Sequence, residues 1–259
     1  MGQTLKQKDG WTCSSGKKME NWHIGCSGFH YKHWKGTFYP EKLPQTKWFD
    51  FYCQHFNTLE LNVTFYRFPR LHNLQNWYNG CPPDFRFSVK APRAITHFKK
   101  FNDVEAMMSS FYNTVREGLQ EKCGCILFQL PSAYHYGEDK LQRIISCLDR
   151  SLPNVLEFRH ESWWNDKVFE TLAAHNISFC GMSHPELPQA IIKNMPLLYY
   201  RFHGSEQLYS SRYAEDQLQS FAQSVLQDSG VQEAFVFFNN DINTNAVYNA
   251  KELKHLVSV

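Results

Sequence analysis

Eight short runs of β-branched and aromatic residues, separated by stretches with helical spacing, constrain this chain more than any other feature. They are "HIGCSGF" (23–29), "TLELNVT" (58–64), "FRFSVKA" (85–91), "CILFQLP" (125–131), "VLEFRH" (155–160), "ISFCGMS" (177–183), "LLYYRFHG" (197–204) and "AFVFFNND" (234–241). Strand-like runs alternating with helices predict βα units on a parallel sheet. Eight such units in 259 residues predict a single TIM-type (β/α)8 barrel. The clearest helix lies in 102–122, where Val104, Met107, Met108, Phe111 and Val115 keep i, i+3, i+4 spacing behind Asn102 as a cap. Others are expected in 43–56, 137–152, 165–176 and 214–230 and at the C-terminus. One unit is expected to be degenerate. Between Ser183 and Leu197, Pro185, Pro188 and Pro196 leave room for only a short helix. Residues 22–259 are read as one barrel domain and 1–21 as a flexible polar tail.

Composition narrows the functional classes. With 42% hydrophobic and 20% charged residues the chain should fold around a large core. A net charge of +2 is too small for bulk electrostatics to imply a nucleic-acid or membrane partner, so any anion site must be local. The eight cysteines follow no disulfide spacing and read as reduced. No apolar run approaches the roughly 18 residues of a membrane span, and the N-terminus lacks signal- and transit-peptide patterns. A cytoplasmic location is the default expectation, and the oligomeric state is left open.

The segment "NVLEFRHESWW" (154–164) puts Glu157, Arg159, His160 and Glu161 into what otherwise reads as a buried strand. Charges sit on a core face only when paired or used. If the runs are barrel strands, alternation turns a polar set inward: Glu60, Asn62, Lys90, Gln129, Glu157, Arg159, Arg201, His203, Asn239 and Asp241. All lie late in their runs, near the strand ends where (β/α)8 enzymes build active sites. Lys90, Arg159 and Arg201 would converge with His203 on a phosphate, carboxylate or sulfate, and Arg93 and His97 could join from the following loop. Glu60 and Glu157 could divide acid and base roles with a substrate between them. A structural ion pair is the plain alternative for Glu157 with Arg159.

A divalent metal is the weaker reading. Glu60, Glu157, His203 and Asp241 could ligate one, but the inward cations would oppose it and no HExxH or paired CxxC motif is present. "GCSGF" lacks phosphate-loop spacing and no GxSxG elbow occurs. Trp34, Tyr39, Phe65, Tyr66, Trp163 and Trp164 suit either a stacking wall for a sugar or base, or ordinary core packing.

The motifs "GCSGFHYKHWKGTFYP", "LELNVTFYRFP", "FRFSVKAPRAITH", "LFQLP", "EFRHESWW", "YYRFHG" and "FFNND…NA" together resemble the domain-of-unknown-function-72 family, the YecE-like proteins, in order from Ile24 to Ala250. The resemblance implies a TIM-type barrel and, by the family's own name, no assigned reaction. Residues matching its motifs include Glu60, Asn62, Thr64, Tyr66, Lys90, Arg93, Thr96, His97, Gln129, Glu157, Arg159, His160, Arg201, His203, Gly204, Asn239 and Asp241. Two positions depart from it: Glu161 stands where proline is usual, and Ser183 and His184 where an aspartate is common.

The expectation is therefore an enzyme (hydrolase, lyase or isomerase) acting on a small anionic molecule, such as a phosphorylated or carboxylated sugar, by acid–base chemistry at the C-terminal mouth. Glu60, Glu157 and His203 would be catalytic. Asn62, Tyr66, Lys90, Arg93, His97, Gln129, Arg159, His160, Arg201, Asn239 and Asp241 would bind substrate. No cofactor is predicted. The alternatives are a metal-assisted phosphodiesterase or nuclease, with nucleic acid the less favoured partner, and a non-catalytic ligand- or partner-binding barrel.

Overall fold

Strand residues alternate between two apolar environments, and this alternation builds the architecture. The computed structural model describes residues 21–258. Its strands are β1 (Asn21–Cys26), β2 (Thr58–Leu61), β3 (Arg86–Lys90), β4 (Cys123–Gln129), β5 (Asn154–Glu157), β6 (Ile177–Ser183), β7 (Leu197–Phe202) and β8 (Glu233–Phe238). All strand pairings among the described residues are parallel, in the order β1-β8-β7-β6-β5-β4-β3-β2. One parity of side chains fills the interior with Cys125, Leu127, Val155, Cys180, Met182, Tyr199, Phe235 and Phe237. The other parity, including Leu59, Val89, Ile126, Phe128, Leu156 and Val236, packs outward under the helices. The result is the nearly closed, helix-surrounded barrel of the TIM type.

The surrounding helices are α1 (Trp48–Cys53), α2 (Val63–Tyr66), α3 (Leu71–Asn79), α4 (Glu105–Leu119), α5 (Glu138–Cys147), α6 (Asp166–Ala174), α7 (Glu215–Leu226) and α8 (Asn245–Ser258). α4 buries Met108, Phe111 and Val115, as its spacing predicts, adds Tyr112 and leaves Met107 half-buried. Its cap differs from the expectation. The helix starts behind Val104, while Asn102 donates its amide to the carbonyls of Lys99 and Lys100. Left-handed backbone at Lys100, Phe101 and Asp103 (φ 49°, 62° and 49°) turns the chain there and leaves Asn102 a residue pair too early to cap. α3 has too thin an apolar face to declare itself, with Leu74 its one buried residue.

The barrel closes between β1 and β2 without a strand ladder among the described residues. The Asn57 side chain takes its place, its Oδ1 accepting from the Ile24 N–H (3.3 Å) and its Nδ2 donating to the Trp22 carbonyl (2.8 Å). Above it the Tyr52 hydroxyl of α1 accepts from the Cys26 N–H (2.8 Å) and donates to the Thr58 carbonyl (2.9 Å). Gly25 permits the approach, since a Cβ there would stand 2.3 Å from the Thr58 oxygen.

The unit between β6 and β7 is degenerate, as expected, and carries no helix at all. Residues 184–196 instead lie against β6: the Asn194 side chain accepts from the Phe179 N–H (2.9 Å) and donates to the Ile177 carbonyl (3.0 Å). The expected tail, 1–21, falls outside the described residues except for Asn21, which opens β1. Seven of the eight cysteines fall within the described residues, all as free thiols. No described helix is long and apolar enough to cross a membrane.

Candidate active site at the barrel mouth

Strand parity lifts Glu60, Lys90, Gln129, Glu157, Arg159, Arg201, His203 and Asn239 into a polar layer above the apolar interior, at the carboxyl ends of six strands. Arg201, 1% exposed, is its centre. Its Nη2 donates to Glu60 Oε2 and its Nη1 to Glu157 Oε2, each at 2.7 Å. Arg201, rather than open space for a substrate, therefore lies between the two glutamates. Its Nε is buried with no partner among the described residues. Sequence reasoning did not single out Tyr199, whose hydroxyl donates to Glu60 Oε1 (2.8 Å), or Ser88, whose hydroxyl is 2.7 Å from that of Tyr199. Because the tyrosine proton is spent on Glu60, Ser88 donates to Tyr199. The signal was in the sequence: each stands two residues before a selected one, Arg201 and Lys90, on the same inward parity.

Glu157 also accepts from Arg159 Nε. Burial pushes its carboxyl up, but Arg159, Arg201 and Lys90 together outweigh that and hold it at about 2. Arg159 Nη2 donates to His203 Nε2 at 2.9 Å. A guanidinium only donates, so Nε2 is the acceptor and the imidazole carries its proton on Nδ1. Nδ1 faces the Asn239 amide at 3.0 Å, which must then present its oxygen. Burial, then the charges of Arg159 and Arg201, hold His203 well below the ordinary imidazole range, in keeping with this neutral form. His184, at one of the two departures from the family pattern, packs edge-on to it with centroids 5.9 Å apart.

Lys90 completes the layer. Its Nζ donates to Gln129 Oε1 at 2.6 Å and sits 4.5 Å from the centre of the Phe65 ring. Burial first, and then Arg201, push its ammonium down from 10.5 to about 7 against the opposing pull of Glu157 and Glu60. His97 stands edge-on to the same Phe65 ring (5.0 Å) and bonds the Thr96 hydroxyl (2.9 Å). Burial and the nearby Lys90 lower it to about 4.

The remaining candidates sit apart from this network. Asn62 follows β2 with its Oδ1 buried and unpartnered. Tyr66 is 65% exposed, and Arg93 lies 5.6 Å from its ring and 5.2 Å from that of Phe98. His160 serves the local backbone, its Nδ1 accepting from the Ser162 N–H while its ring stacks 3.8 Å from His135. Asp241 turns to the loop after β1, accepting from Trp34 Nε1 (2.6 Å) and pairing with His33 (2.9 Å). Its carboxyl is raised to about 6, chiefly by burial. Of the six aromatics considered as a stacking wall, Trp34, Tyr39 and Trp163 are core residues. Among the described residues no three His, Cys, Asp or Glu side chains gather as metal ligands.

The family described as "Protein of unknown function DUF72" matches residues 23–259. UPF0759 protein YunF of Bacillus subtilis (strain 168) is 26% identical over 258 residues, covering 86% of this chain and 91% of the relative. UPF0759 protein YecE of Escherichia coli (strain K12) is 30% identical over 117 residues, 44% of this chain and 42% of the relative. A crystal structure of a DUF72 family protein from Thermotoga maritima MSB8 superimposes with a TM-score of 0.84 at 27% identity, covering 93% of this chain and all (100%) of that one. One from Enterococcus faecalis V583 gives 0.77 at 18% identity, covering 92% and 96%, and so speaks to the fold alone. With a match that spans the whole barrel, the chain belongs to the DUF72 family of proteins of unknown function.

Proposed function

We propose that this barrel is an enzyme acting on a small anionic molecule, one bearing a phosphate or carboxylate, by acid–base chemistry at the C-terminal mouth. The observation that carries the reading is an imbalance in the buried network. Glu60 and Glu157 are both engaged by arginines, and the cationic ends left at the mouth face no further carboxylate among the described residues. Among the described residues Arg159 commits Nε and Nη2 and leaves Nη1 without a protein partner, while Lys90 donates only to an amide. An anion placed there gains charge-assisted hydrogen bonds from a guanidinium that Glu157 and His203 already hold in place. Glu157, ionised well below neutrality and tied to Arg201, supplies field rather than protons. Lys90 and His97 are the proton-exchanging groups nearer the mouth, while His203, with both ring nitrogens engaged, holds Arg159 in place.

Thermal unfolding with inorganic phosphate, phosphorylated and carboxylated sugars, and their neutral parents tests this. A bound anion at a hundredfold its Kd should add about 2.7 kcal/mol, neutral sugars should add nothing, and Arg159→Ala should lose the effect. Equal stabilisation by neutral sugars, or none by any anion, would sink the reading. The full pairing of both glutamates favours one alternative, an anion-binding barrel without turnover. Mass spectrometry of any stabilising anion after long incubation decides between them, since only an enzyme changes its mass or fragmentation.

A further inference from the structure

Lys90 is the one cation of the interior layer with no carboxylate partner among the described residues. Arg201 takes Glu60 and Glu157, and Arg159 takes Glu157 again. What Lys90 has instead is the neutral amide of Gln129 at 2.6 Å, the face of Phe65 at 4.5 Å and 8% of its surface still exposed. We propose that the Lys90 Nζ is a nucleophilic amine that condenses with the carbonyl carbon of an anionic aldehyde or ketone to form an imine inside the barrel mouth. The proposal rests on the anion-binding reading and specifies the substrate class for the same site.

Burial and the neighbouring cations favour an amine over an ammonium, against the pull of the Phe65 face. Arg201 and Arg159 carry the same sign as a protonated Lys90, while the opposing charges of Glu157 and Glu60 are already engaged by those arginines. His97, the other titratable group close by, is itself held neutral. Burial beside another cation is a recognised way of activating a lysine as a nucleophile. The ordinary value of 10.5 falling to about 7 leaves a large share of Lys90 with its lone pair free at neutral pH. Gln129 Oε1 accepts one N–H and so fixes the rotation of the amine.

The step balances without any further reactant. The nitrogen lone pair forms the C–N bond as the carbonyl π bond opens, and the oxygen takes a proton to give a carbinolamine. That oxygen then leaves as water carrying both original amine hydrogens, and the imine nitrogen takes one proton from solvent to become an iminium. The Phe65 face stabilises this cation as it would an ammonium. The iminium draws electrons from the adjacent carbon, which activates its proton or its next C–C bond. Arg159 Nη1 would hold the anionic end of the substrate.

The test is reductive trapping on the full chain at neutral pH. Glyoxylate, or acetaldehyde as a neutral carbonyl of similar size, is added with cyanoborohydride, and adducts are located by peptide mass spectrometry. Glyoxylate should label Lys90 at least about tenfold above any exposed lysine, with acetaldehyde far behind. Lys90→Met, similar in length and without an amine or a charge, should abolish that adduct while keeping the wild-type circular dichroism spectrum. Equal labelling of Lys90 by both reagents would support the amine and overturn the anion reading. Labelling of exposed lysines in preference to Lys90, with anions still stabilising the protein, would overturn the amine proposal and leave anion binding standing.

Discussion

Glu157 answers to two guanidiniums directly and to a third cation through the field, and its ionisation is what allows Arg201 to stay buried and Arg159 largely so. Glu157→Gln keeps the shape but removes the charge, and losing one partner of a buried pair typically costs about 3–5 kcal/mol. Urea unfolding at neutral pH should show a loss of that order. The pH dependence has a definite sign. The folded carboxyl sits at about 2, below its ordinary 4.5, so its contribution is complete above about 4.5 and is lost as pH falls toward 2. The gap between wild type and Glu157→Gln should therefore narrow across that acid window, and a gap independent of pH would contradict the ion-pair account. Residues on the inward parity were legible because alternation is a local property: Glu60, Lys90, Gln129, Glu157, Arg159, Arg201, His203 and Asn239 all reach the polar layer. Arg159, His203 and Asn239 lie just past their strand ends and still follow the alternation, whereas Asp241, three residues past β8, and His160, of the opposite parity, each found a partner among loop residues.

Among the elements, β1 is the most dependent on side chains. It has a full ladder to β8 on one side and, on the other, the Asn57 amide and the Tyr52 hydroxyl. Asn57→Ala would leave the Ile24 N–H and the Trp22 carbonyl unpaired, at about 1–3 kcal/mol for each group that water does not reach. Hydrogen exchange should report the loss as faster exchange at Ile24, while amides of the β7–β8 ladder keep their protection. Unchanged protection at Ile24 would mean that another group closes the seam. No sequence pattern announced this closure, because a lone asparagine before a strand also reads as an ordinary turn residue. The degenerate unit between β6 and β7 was announced, because three prolines restrict helix by covalent geometry wherever the chain lies, but the short helix they left room for does not form.

At the scale of the whole molecule, Arg201 joins β7 to β2 and β5 across the barrel, so Glu60, Glu157 and Arg201 form one electrostatic unit. Arg201→Met alone should destabilise by about 3–5 kcal/mol, whereas Glu60→Gln combined with Arg201→Met, which leaves Glu157 paired with Arg159, should recover much of that loss. Urea midpoints of the single and double variants check this, and a double variant as unstable as the summed singles would show the two residues to be independent. The amino-acid sequence by itself determined the strands, most of the helices, the barrel and most of the inward polar set, Asn62 and Asp241 excepted, since those follow from a period of two, a period of 3.6 and proline stereochemistry, all written in neighbouring residues. Only the tertiary structure decided which charges meet. Glu60 and Arg201 are 141 residues apart, and their pairing depends on barrel curvature bringing opposite strands face to face. The same closure gave both carboxylates to arginines and left Lys90 facing an amide, because pairing in a buried layer is set by distance across the interior rather than by order along the chain.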